Sequence, residues 1–464
     1  MNKDKNMRIE KDSMGTMKVP TDALYGPQTQ RAVENFPISN ICFTTDFISA
    51  IVIIKRSASI VNEKLGLLDS IKSKTIVSAC DEILNGNYNE HFPVDIFQTG
   101  SGTSTNMNVN EVISKLANTH ILKDEKNIIH PNDHVNMGQS SNDTIPTGIN
   151  LSVSILIKNK LLPSLNNLIE SILKKEIEFD KIIKLGRTHL QDATPIKLSQ
   201  EFSGYRELLL KSKERFEKIN QSLSRLPQGG TAVGTGINTH PDFGKLIASE
   251  ISKYTKINFI ESPNHFEAQS AQDCSVEVSG VLKALAVSLS KIANDIRWLG
   301  SGPRSGIGEL NLPSVQPGSS IMPGKVNPVI CESVLQSSAQ VIANDLAVTL
   351  GGLGSVLELN LMLPLIAHNL LYSVNILSNS MIVFKEKLMD HISANEEKCE
   401  NYIEGSLAMC TSLAPIIGYD AAAKIAYEAF KSGKTIREIA LEQKILEEEE
   451  LEKVLDPNNM IHPK

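Results

Sequence analysis

The most informative segment of the chain is Gly318-Ser319-Ser320-Ile321-Met322-Pro323-Gly324-Lys325-Val326-Asn327-Pro328. Its glycines allow backbone conformations that other residues resist, and its prolines stiffen both sides of a polar centre. That centre holds hydroxyl, carboxamide and ammonium groups, all of which can donate hydrogen bonds. A helical pattern begins near Pro328, so the segment precedes a helix N-terminus, where anions are favoured. The segment therefore predicts an anion-binding loop, with a plain surface connection as the alternative.

Long helical patterns surround this loop. The first runs from Thr144 to Ile172 with apolar residues at helical spacing, and Pro163 should kink it. The others are predicted at about 196–226, 267–300, 328–351 and 358–390. Several carry more apolar residues than one amphipathic face needs, which is typical of helices buried in an oligomeric bundle. We therefore predict a mainly α fold whose central bundle of about five long helices self-associates; a monomeric bundle is the alternative.

Shifts in pattern divide the chain into three predicted domains. Residues 1–140 form an N-terminal domain that is mixed but mostly helical, with turn and strand signals over 8–34 and helices over 47–66, 70–84 and 109–117. Residues 141–394 form the central long-helix domain. Residues 395–464 form a small helical C-terminal domain.

Composition limits the classes of function. The chain has 464 residues, 41% hydrophobic residues and a net charge of −7, which argues against nucleic acid or an anionic membrane as the main partner. We see no secretory signal, no mitochondrial presequence and no apolar run of membrane-spanning length. The six cysteines include no close pair. These features predict a cytoplasmic protein.

Two earlier segments carry polar groups at predicted helix starts. Ser101-Gly102-Thr103 belongs to a glycine-broken run of hydroxyls that either caps a helix or binds an oxyanion. Ser140-Ser141-Asn142-Asp143 precedes an apolar run, and there capping and substrate contact are compatible. His130 and His134 lie near Asp133, but no third ligand is suitably spaced, so we predict no metal site.

Two further breaks between helices are rich in functional groups. Gly186 to Pro195 contains Thr188 and His189. A lone loop histidine is usually solvated, but His189 could move protons near neutral pH if the Lys325 loop met it. Gly229 to Gly236 is a glycine-rich break that is likewise too rich in functional groups to be a plain connection.

The loop at 318–328 resembles the signature loop of the fumarase/aspartase superfamily. The resemblance covers almost the whole chain and is strongest to class II fumarases. The supporting blocks are Gly100 to Thr103, His130 to Asp133, Ser140 to Asp143, Gly186 to Pro195, Gly229 to Gly236 and Pro263 to Ala268. Thr188-His189-Leu190 is the most specific block, because aspartases carry glutamine where His189 stands.

The resemblance implies a function and an assembly. It implies reversible, metal-independent hydration of fumarate to (S)-malate in the tricarboxylic acid cycle, through a stabilised carbanion and without a cofactor. It also implies a three-domain homotetramer with a shared helical core and with active sites that each draw on three subunits. Aspartate ammonia-lyase is the alternative within the superfamily, and a non-catalytic structural or binding protein is the alternative outside enzyme function.

The resemblance also assigns residues. It implies that Ser319 acts as the base, that His189 takes part in acid/base chemistry and that Glu332 pairs with His189. The full catalytic set is Ser319, His189, Glu332, Lys325 and Asn327. The substrate-binding set is Ser101, Gly102, Thr103, Ser140, Ser141, Asn142, Thr188, Ser320, Lys325, Val326 and Asn327.

The resemblance further implies a second, non-catalytic anion site at His130, Pro131, Asn132 and Asp133. An arginine often precedes that segment in the family, whereas Asn127 stands here, which puts a strong anion site in question. His134 stands where fumarases commonly have an acidic residue, as it does in aspartases.

Overall fold

The structure, a computed structural model, describes residues 6–86, 88–122 and 128–463. It is mainly helical. The α-helices are α1 Pro27–Asn35, α2 Thr45–Lys64, α3 Ser70–Asn85, α4 Thr103–Leu116, α5 Ser141–Leu156, α6 Leu162–Glu178, α7 Leu198–Leu223, α8 Phe243–Thr255, α9 His265–Ser270, α10 Asp273–Leu299, α11 Val329–Gly352, α12 Leu363–Lys387, α13 Glu396–Gly405, α14 Ala414–Ile417, α15 Tyr419–Ser432, α16 Ile436–Glu442 and α17 Glu448–Val454. Asn127, the position that bears on the second anion site, lies outside the described residues.

The strands are short and pair two by two. They are β1 Met7–Asp12 with β2 Gly15–Pro20, β3 Ile183–Thr188 with β4 Gln191–Lys197, β5 Arg225–Leu226 with β6 Ile260–Glu261, β7 Leu310–Asn311 with β10 Ser393–Ala394, and β8 Ser355–Val356 with β9 Leu359–Asn360. The β5–β6 pair is parallel, and the other pairs are antiparallel.

The predicted long helices are confirmed. They correspond to α5 with α6, then α7, α10, α11 and α12. The structure places a π-helical turn, Ile157–Leu161, where a kink was predicted. The ring of Pro163 would clash with the carbonyl four residues before it, and that carbonyl lies inside this turn. The wider turn therefore lets the helical path continue past the proline.

One N-terminal interpretation was wrong. Strand and turn signals were predicted across residues 8–34, but only β1 and β2 are strands, and Pro27–Asn35 is a helix. The reason is tertiary. The buried carboxylate of Glu111 accepts hydrogen bonds from the N–H groups of Gly26, Gln28 and Thr29, so it caps α1 from a distant helix. Local sequence gives no sign of such a cap.

The chain forms two compact units. The first contains Met1–Pro163, Glu214–Ala284 and Ala339–Ser378, and the second contains Ser164–Lys213, Leu285–Ser338 and Asn379–Lys464. Within the first, a buried apolar cluster joins α2, α5 and α8. Within the second, the C-terminal helices share a core between Ile403 and Leu455. The three-domain division inferred from the sequence stays a prediction.

No helix among the described ranges combines the length and the apolar character that crossing a membrane would require.

Candidate active site

Polar side chains from two helix starts meet in the first unit. We call Ser101, Thr103, Ser140, Ser141 and Asn142 the hydroxyl cluster. The Ser101 Oγ lies 3.0 Å from the Thr103 Oγ1, and the Thr103 Oγ1 lies 2.7 Å from the Ser141 Oγ. Thr103 begins α4 and Ser141 begins α5. The N-termini of two helices therefore bring hydroxyls and positive helix-dipole ends together, an arrangement suited to a carboxylate.

The approach of the two helices depends on glycine. Gly102 has a φ of 73°, and a Cβ at this position would lie 2.9 Å from the Cγ1 of Ile145 on α5, which is too close for two carbon atoms.

The side chain of Gln98 accepts the N–H of Thr105 in the first turn of α4. This support explains why α4 begins at Thr103, whereas the sequence interpretation placed its start at residue 109.

Helix α5 begins with a capping box. The Oγ of Ser140 accepts the N–H of Asn142, and the Asp143 carboxylate accepts the N–H of Ser140 at 2.9 Å. The carboxamide of Asn142 donates to the carbonyl of Ala232 at 2.8 Å. Ser140 thus caps α5, as the sequence predicted, and Asn142 anchors a loop, which it did not predict. Substrate contact by either residue stays a prediction.

Two ionisable side chains, Lys55 and Asp143, are fully buried near the start of α5. The ammonium group of Lys55 donates to Asn136 at 2.8 Å and to Gln139 at 3.0 Å. Burial lowers the pKa of Lys55 to about 7, although the Asp143 and Cys80 charges oppose the shift. Burial raises the pKa of Asp143 to about 6, against the opposing effect of backbone N–H donors and Lys55. Asp143 follows Asn142 in sequence, and Lys55 bonds to Gln139, which precedes Ser140. Asp143 was predicted only as part of a helix start, and Lys55 was not identified from the sequence.

In the second unit, His189 lies at the tip of a hairpin. Thr188 pairs with Gln191 across β3 and β4, which leaves His189 and Leu190 as the turn residues. Their φ angles of 56° and 59° match a type I′ turn, which normally uses asparagine and glycine. Thr188 and His189 are both exposed. A left-handed histidine at an exposed tip is a strained arrangement of the kind found at functional sites.

A buried ion network supports this hairpin. Glu309, which is fully buried, pairs with Arg187 at 2.8 Å and with Lys184 at 3.1 Å. Lys184 also pairs with Glu201 at 3.1 Å. Arg187 and Lys184 both lie on β3, so the network fixes the strand that leads to Thr188 and His189.

The signature loop, Gly318–Pro328, also belongs to the second unit and closes on itself. The N–H of Gly318 donates to the Lys325 carbonyl at 2.7 Å, and the Asn327 carboxamide donates to the Gly318 carbonyl at 2.8 Å. The Oγ of Ser319 accepts N–H groups from Ile321 at 3.2 Å and Met322 at 2.9 Å. Such donors stabilise a hydroxyl oxygen that gains negative charge. Most of the loop is exposed, including Ser320, Lys325 and Val326.

Glu332 follows the loop in the first turn of α11 and is half-buried. With Lys325, Asn327, Arg297 and Trp298 it lines a cavity of about 710 Å³. Within the described part of one chain, no hydrogen bond or ion pair joins Glu332 to His189. Their pairing therefore stays a prediction, as do the roles assigned to the other site residues.

The proposed second anion segment makes mostly internal contacts. The Nδ1 of His130 accepts N–H groups from Asn132 and Asp133, so this ring caps the turn Pro131–Val135. The Nδ1 of His134 accepts the N–H of His130 at 2.8 Å. His130, Pro131 and Asn132 line a cavity of about 480 Å³ in the first unit. Binding of an anion there stays a prediction.

The structure adds residues that sequence reasoning missed. Asp143 and Lys55 bond to segments far away in the chain, so only the capping pattern at Ser140 hinted at Asp143.

Within residues 6–86, 88–122 and 128–463, no group of three or more His, Cys, Asp or Glu side chains is arranged to hold a metal ion.

Comparison with known proteins points to one family. A lyase family profile matches residues 15–343, and a profile described as the fumarase C C-terminus matches residues 409–462. The chain is 47% identical over 459 residues to a class II fumarate hydratase of Bacillus cereus, covering 98% of this chain and 99% of that protein. It is 49% identical over 457 residues to the class II fumarate hydratase of Halobacterium salinarum, and this match covers 98% of this chain and 97% of that protein.

Solved structures agree with the sequence comparison. The recombinant class II fumarase from Schistosoma mansoni matches with a TM-score of 0.95 and 38% identity, over 99% of this chain and 100% of that one. A fumarate lyase:delta crystallin protein from Brucella melitensis, bound to cobalt, matches with a TM-score of 0.94 and 44% identity, over 98% and 100%.

Proposed function

The chain belongs to the class II fumarase branch of the lyase family, and we propose that it is a fumarate hydratase that interconverts fumarate and (S)-malate. The observation that carries the proposal is His189 at the exposed tip of the β3–β4 hairpin. Aspartases carry glutamine at this position, so a histidine here distinguishes a fumarase, which adds water to fumarate, from an aspartase, which adds ammonia. The hydroxyl cluster and the signature loop supply the groups that a small dicarboxylate needs.

Removal of the C3 proton of malate is the difficult step, because it places extra negative charge on the neighbouring carboxylate. Hydrogen-bond donors aimed at developing charge usually contribute more to catalysis than any other single effect. In this proposal, Lys325 and Asn327 bind that carboxylate, and the exposed loop brings them to it. The Oγ of Ser319 takes the proton, aided by the N–H groups of Ile321 and Met322 and by the charge of Lys325.

Departure of the hydroxyl group needs an acid. We assign this step to His189, which acts through a water and is oriented by Glu332. The neighbouring Thr188 contacts the substrate in this proposal. Acid–base assistance of this kind typically contributes about 10²–10⁴-fold. Thr188 and His189 are exposed in one chain, whereas Glu332 is half-buried. Because no hydrogen bond or ion pair among the described residues joins Glu332 to His189, a further copy of the protein brings them together in this proposal.

The hydroxyl cluster would hold a substrate carboxylate. The Thr103 hydroxyl already contacts the hydroxyls of Ser101 and Ser141, so the three groups are in place before the substrate arrives. Ser140, Asn142 and the backbone at Gly102 would add further contacts to the same carboxylate. Ser320 and Val326 would contact the substrate from the signature loop. Positioning of this kind lowers the barrier by reducing the entropy lost on reaching the transition state.

We further propose a cytoplasmic homotetramer whose active sites each use three subunits. An exposed apolar stripe on α11 supports this assembly. Ile342, Leu346 and Leu350 are four residues apart and are 41%, 61% and 55% exposed. Residues at this spacing share one helix face, and such a face on a long helix suits packing against a second copy.

We expect Leu346→Glu to break the assembly and reduce fumarate hydration. A charge would replace an apolar side chain whose full burial is worth about 1.5–3 kcal/mol, and the site would lose its partner subunits. Light scattering after gel filtration should show a smaller species. Ile177→Glu, on α6 and 69% exposed, is the matched control and should stay assembled. An intact, fully active Leu346→Glu tetramer would remove this stripe from the interface.

A direct assay tests the proposed activity. The protein should form fumarate, followed by its ultraviolet absorbance, from (S)-malate and not from L-aspartate. Activity on aspartate alone would identify an aspartate ammonia-lyase. Absence of turnover on any fumarate-forming substrate would favour a structural or binding protein.

A further inference from the structure

The carboxylate of Asp143 joins two segments that are distant in the chain. One oxygen accepts the N–H of Ser140 at 2.9 Å. The other accepts the N–H groups of Gly229 at 3.1 Å and Thr231 at 3.0 Å. The side chain is completely buried, so it cannot itself touch a substrate. Asp143 can therefore act only through the backbone segments that it binds.

The loop that Asp143 binds has a backbone shaped around the carboxylate. Gly229 has a φ of 111° and Thr231 a φ of 56°, which is rare for a β-branched residue. Backbone N–H groups in turns of this kind form a concavity that binds an anion. The carbonyl of Thr231 is held in turn by the carboxamide of Gln269 at 2.8 Å. Strain of this kind persists only where the surroundings hold it.

A second contact ties the same loop to the hydroxyl cluster. The carboxamide of Asn142 donates to the carbonyl of Ala232 at 2.8 Å, and the Oγ of Ser141 bonds to the Thr103 Oγ1 at 2.7 Å. The loop, the first turn of α5 and the start of α4 are therefore connected through Asp143 and its neighbours.

A buried carboxylate beside an anion site needs a physical reason, because it repels the substrate. Lys55 is also fully buried and is held by Asn136 and Gln139. Its positive charge lies near enough to Asp143 to favour the ionised carboxylate. Only a carboxylate can accept the N–H groups of Ser140, Gly229 and Thr231 together. In a carboxamide, an NH₂ group replaces one of the two acceptor oxygens, and this donor would face a backbone N–H group.

We propose that Asp143 is a positioning residue of the dicarboxylate site, which fixes Ser141 and Asn142 by binding the start of α5 to the loop at 229–232. The proposal rests on the proposed function, since it takes the hydroxyl cluster as the carboxylate site. It also gives the glycine-rich loop at 229–236 a role in substrate binding.

The variant Asp143→Asn tests the proposal. Loss of one acceptor leaves buried N–H groups unpaired and loosens the cluster, so KM for malate and for fumarate should rise about tenfold or more. The effect on kcat should be much smaller, because the reacting groups lie on the signature loop and the hairpin. An unchanged KM, or a fall in kcat without a rise in KM, would overturn the proposal.

Glu111→Gln is the matched control. Glu111 is also a buried carboxylate in the same unit that accepts three backbone N–H groups, those of Gly26, Gln28 and Thr29. We expect its loss to lower Tm by an amount similar to that for Asp143→Asn while KM stays unchanged. An equal rise of KM in Glu111→Gln would show that reduced stability alone explains the effect.

Hydrogen exchange of the unmodified protein gives an independent measurement if Asp143→Asn does not fold. Addition of (S)-malate should slow amide exchange at Gly229 and Thr231, while the amides of Gln28 and Thr29 serve as the reference. No added protection at 229–231 would overturn the role of Asp143. Absence of malate turnover by the unmodified protein would instead remove the proposed function, so the two failures are distinguishable.

Discussion

Replacement of Lys325 by alanine is expected to lower kcat for both directions of the fumarate–malate reaction by about a thousandfold or more. Lys325 is the cation in the signature loop, and none of the ion pairs found in the described part of the chain neutralises it. Removal of a single donor aimed at developing negative charge costs about 10²–10³ in rate, and here a full positive charge is lost as well. Steady-state assays with malate and with fumarate measure the effect.

The assembly should be unaffected, because Lys325 lies on a loop outside the apolar stripe on α11 that is proposed to form the interface. Gel filtration with light scattering checks this point. Lys387→Ala removes an exposed lysine from the last turn of α12 in the same unit and should leave turnover unchanged. Near-normal turnover of Lys325→Ala would exclude Lys325 from the catalytic role proposed here.

Ser319→Ala should slow proton removal by about 10²–10⁴-fold while malate still binds. Serine is a weak base in water, but the Oγ of Ser319 accepts two backbone N–H groups and lies in the same loop as Lys325. Alanine leaves no atom to take the C3 proton. Exchange of the C3 hydrogen of malate with deuterated solvent, followed by NMR, measures this step separately from loss of the hydroxyl group.

The neighbouring Ser314 provides a control. It is exposed, lines the cavity beside the loop and has no proposed role, so Ser314→Ala should keep normal exchange. An unchanged exchange rate in Ser319→Ala would assign the base to a different residue.

The long helices could be predicted because their apolar periodicity extends over many turns. α11 begins and ends within one residue of the predicted positions, and α10 and α12 end within three residues of theirs, since long patterns average out local exceptions. The predicted helix at 267–300 is divided, because α9 ends at Ser270 and α10 begins at Asp273. α1 was missed because its cap comes from Glu111, more than eighty residues away. The early start of α4 was missed because the Gln98 side chain caps its first turn and because Gly102 allows the close approach of Ile145 on α5.

The candidate site could be predicted only as separate segments. The residue types at Ser101, Ser140 and Lys325 indicated anion binding, and the structure brings Ser101, Thr103 and Ser141 together. The type I′ turn at His189 could not be predicted, because histidine and leucine are unusual there. The bond from Asp143 to Thr231 spans 88 residues, a separation over which one sequence gives no pairing information.

The central claim is that the signature loop closes over a small dicarboxylate and stabilises the charge that appears when a C–H bond breaks. A crystal structure of the protein with malate and fumarate at equilibrium tests it most directly. We predict that in at least one subunit Lys325 Nζ and Asn327 Nδ2 lie about 2.7–3.2 Å from one ligand carboxylate, with Ser319 Oγ facing C3. A bound ligand with this loop remote from it in every subunit, even where the loop is closed, would contradict the account.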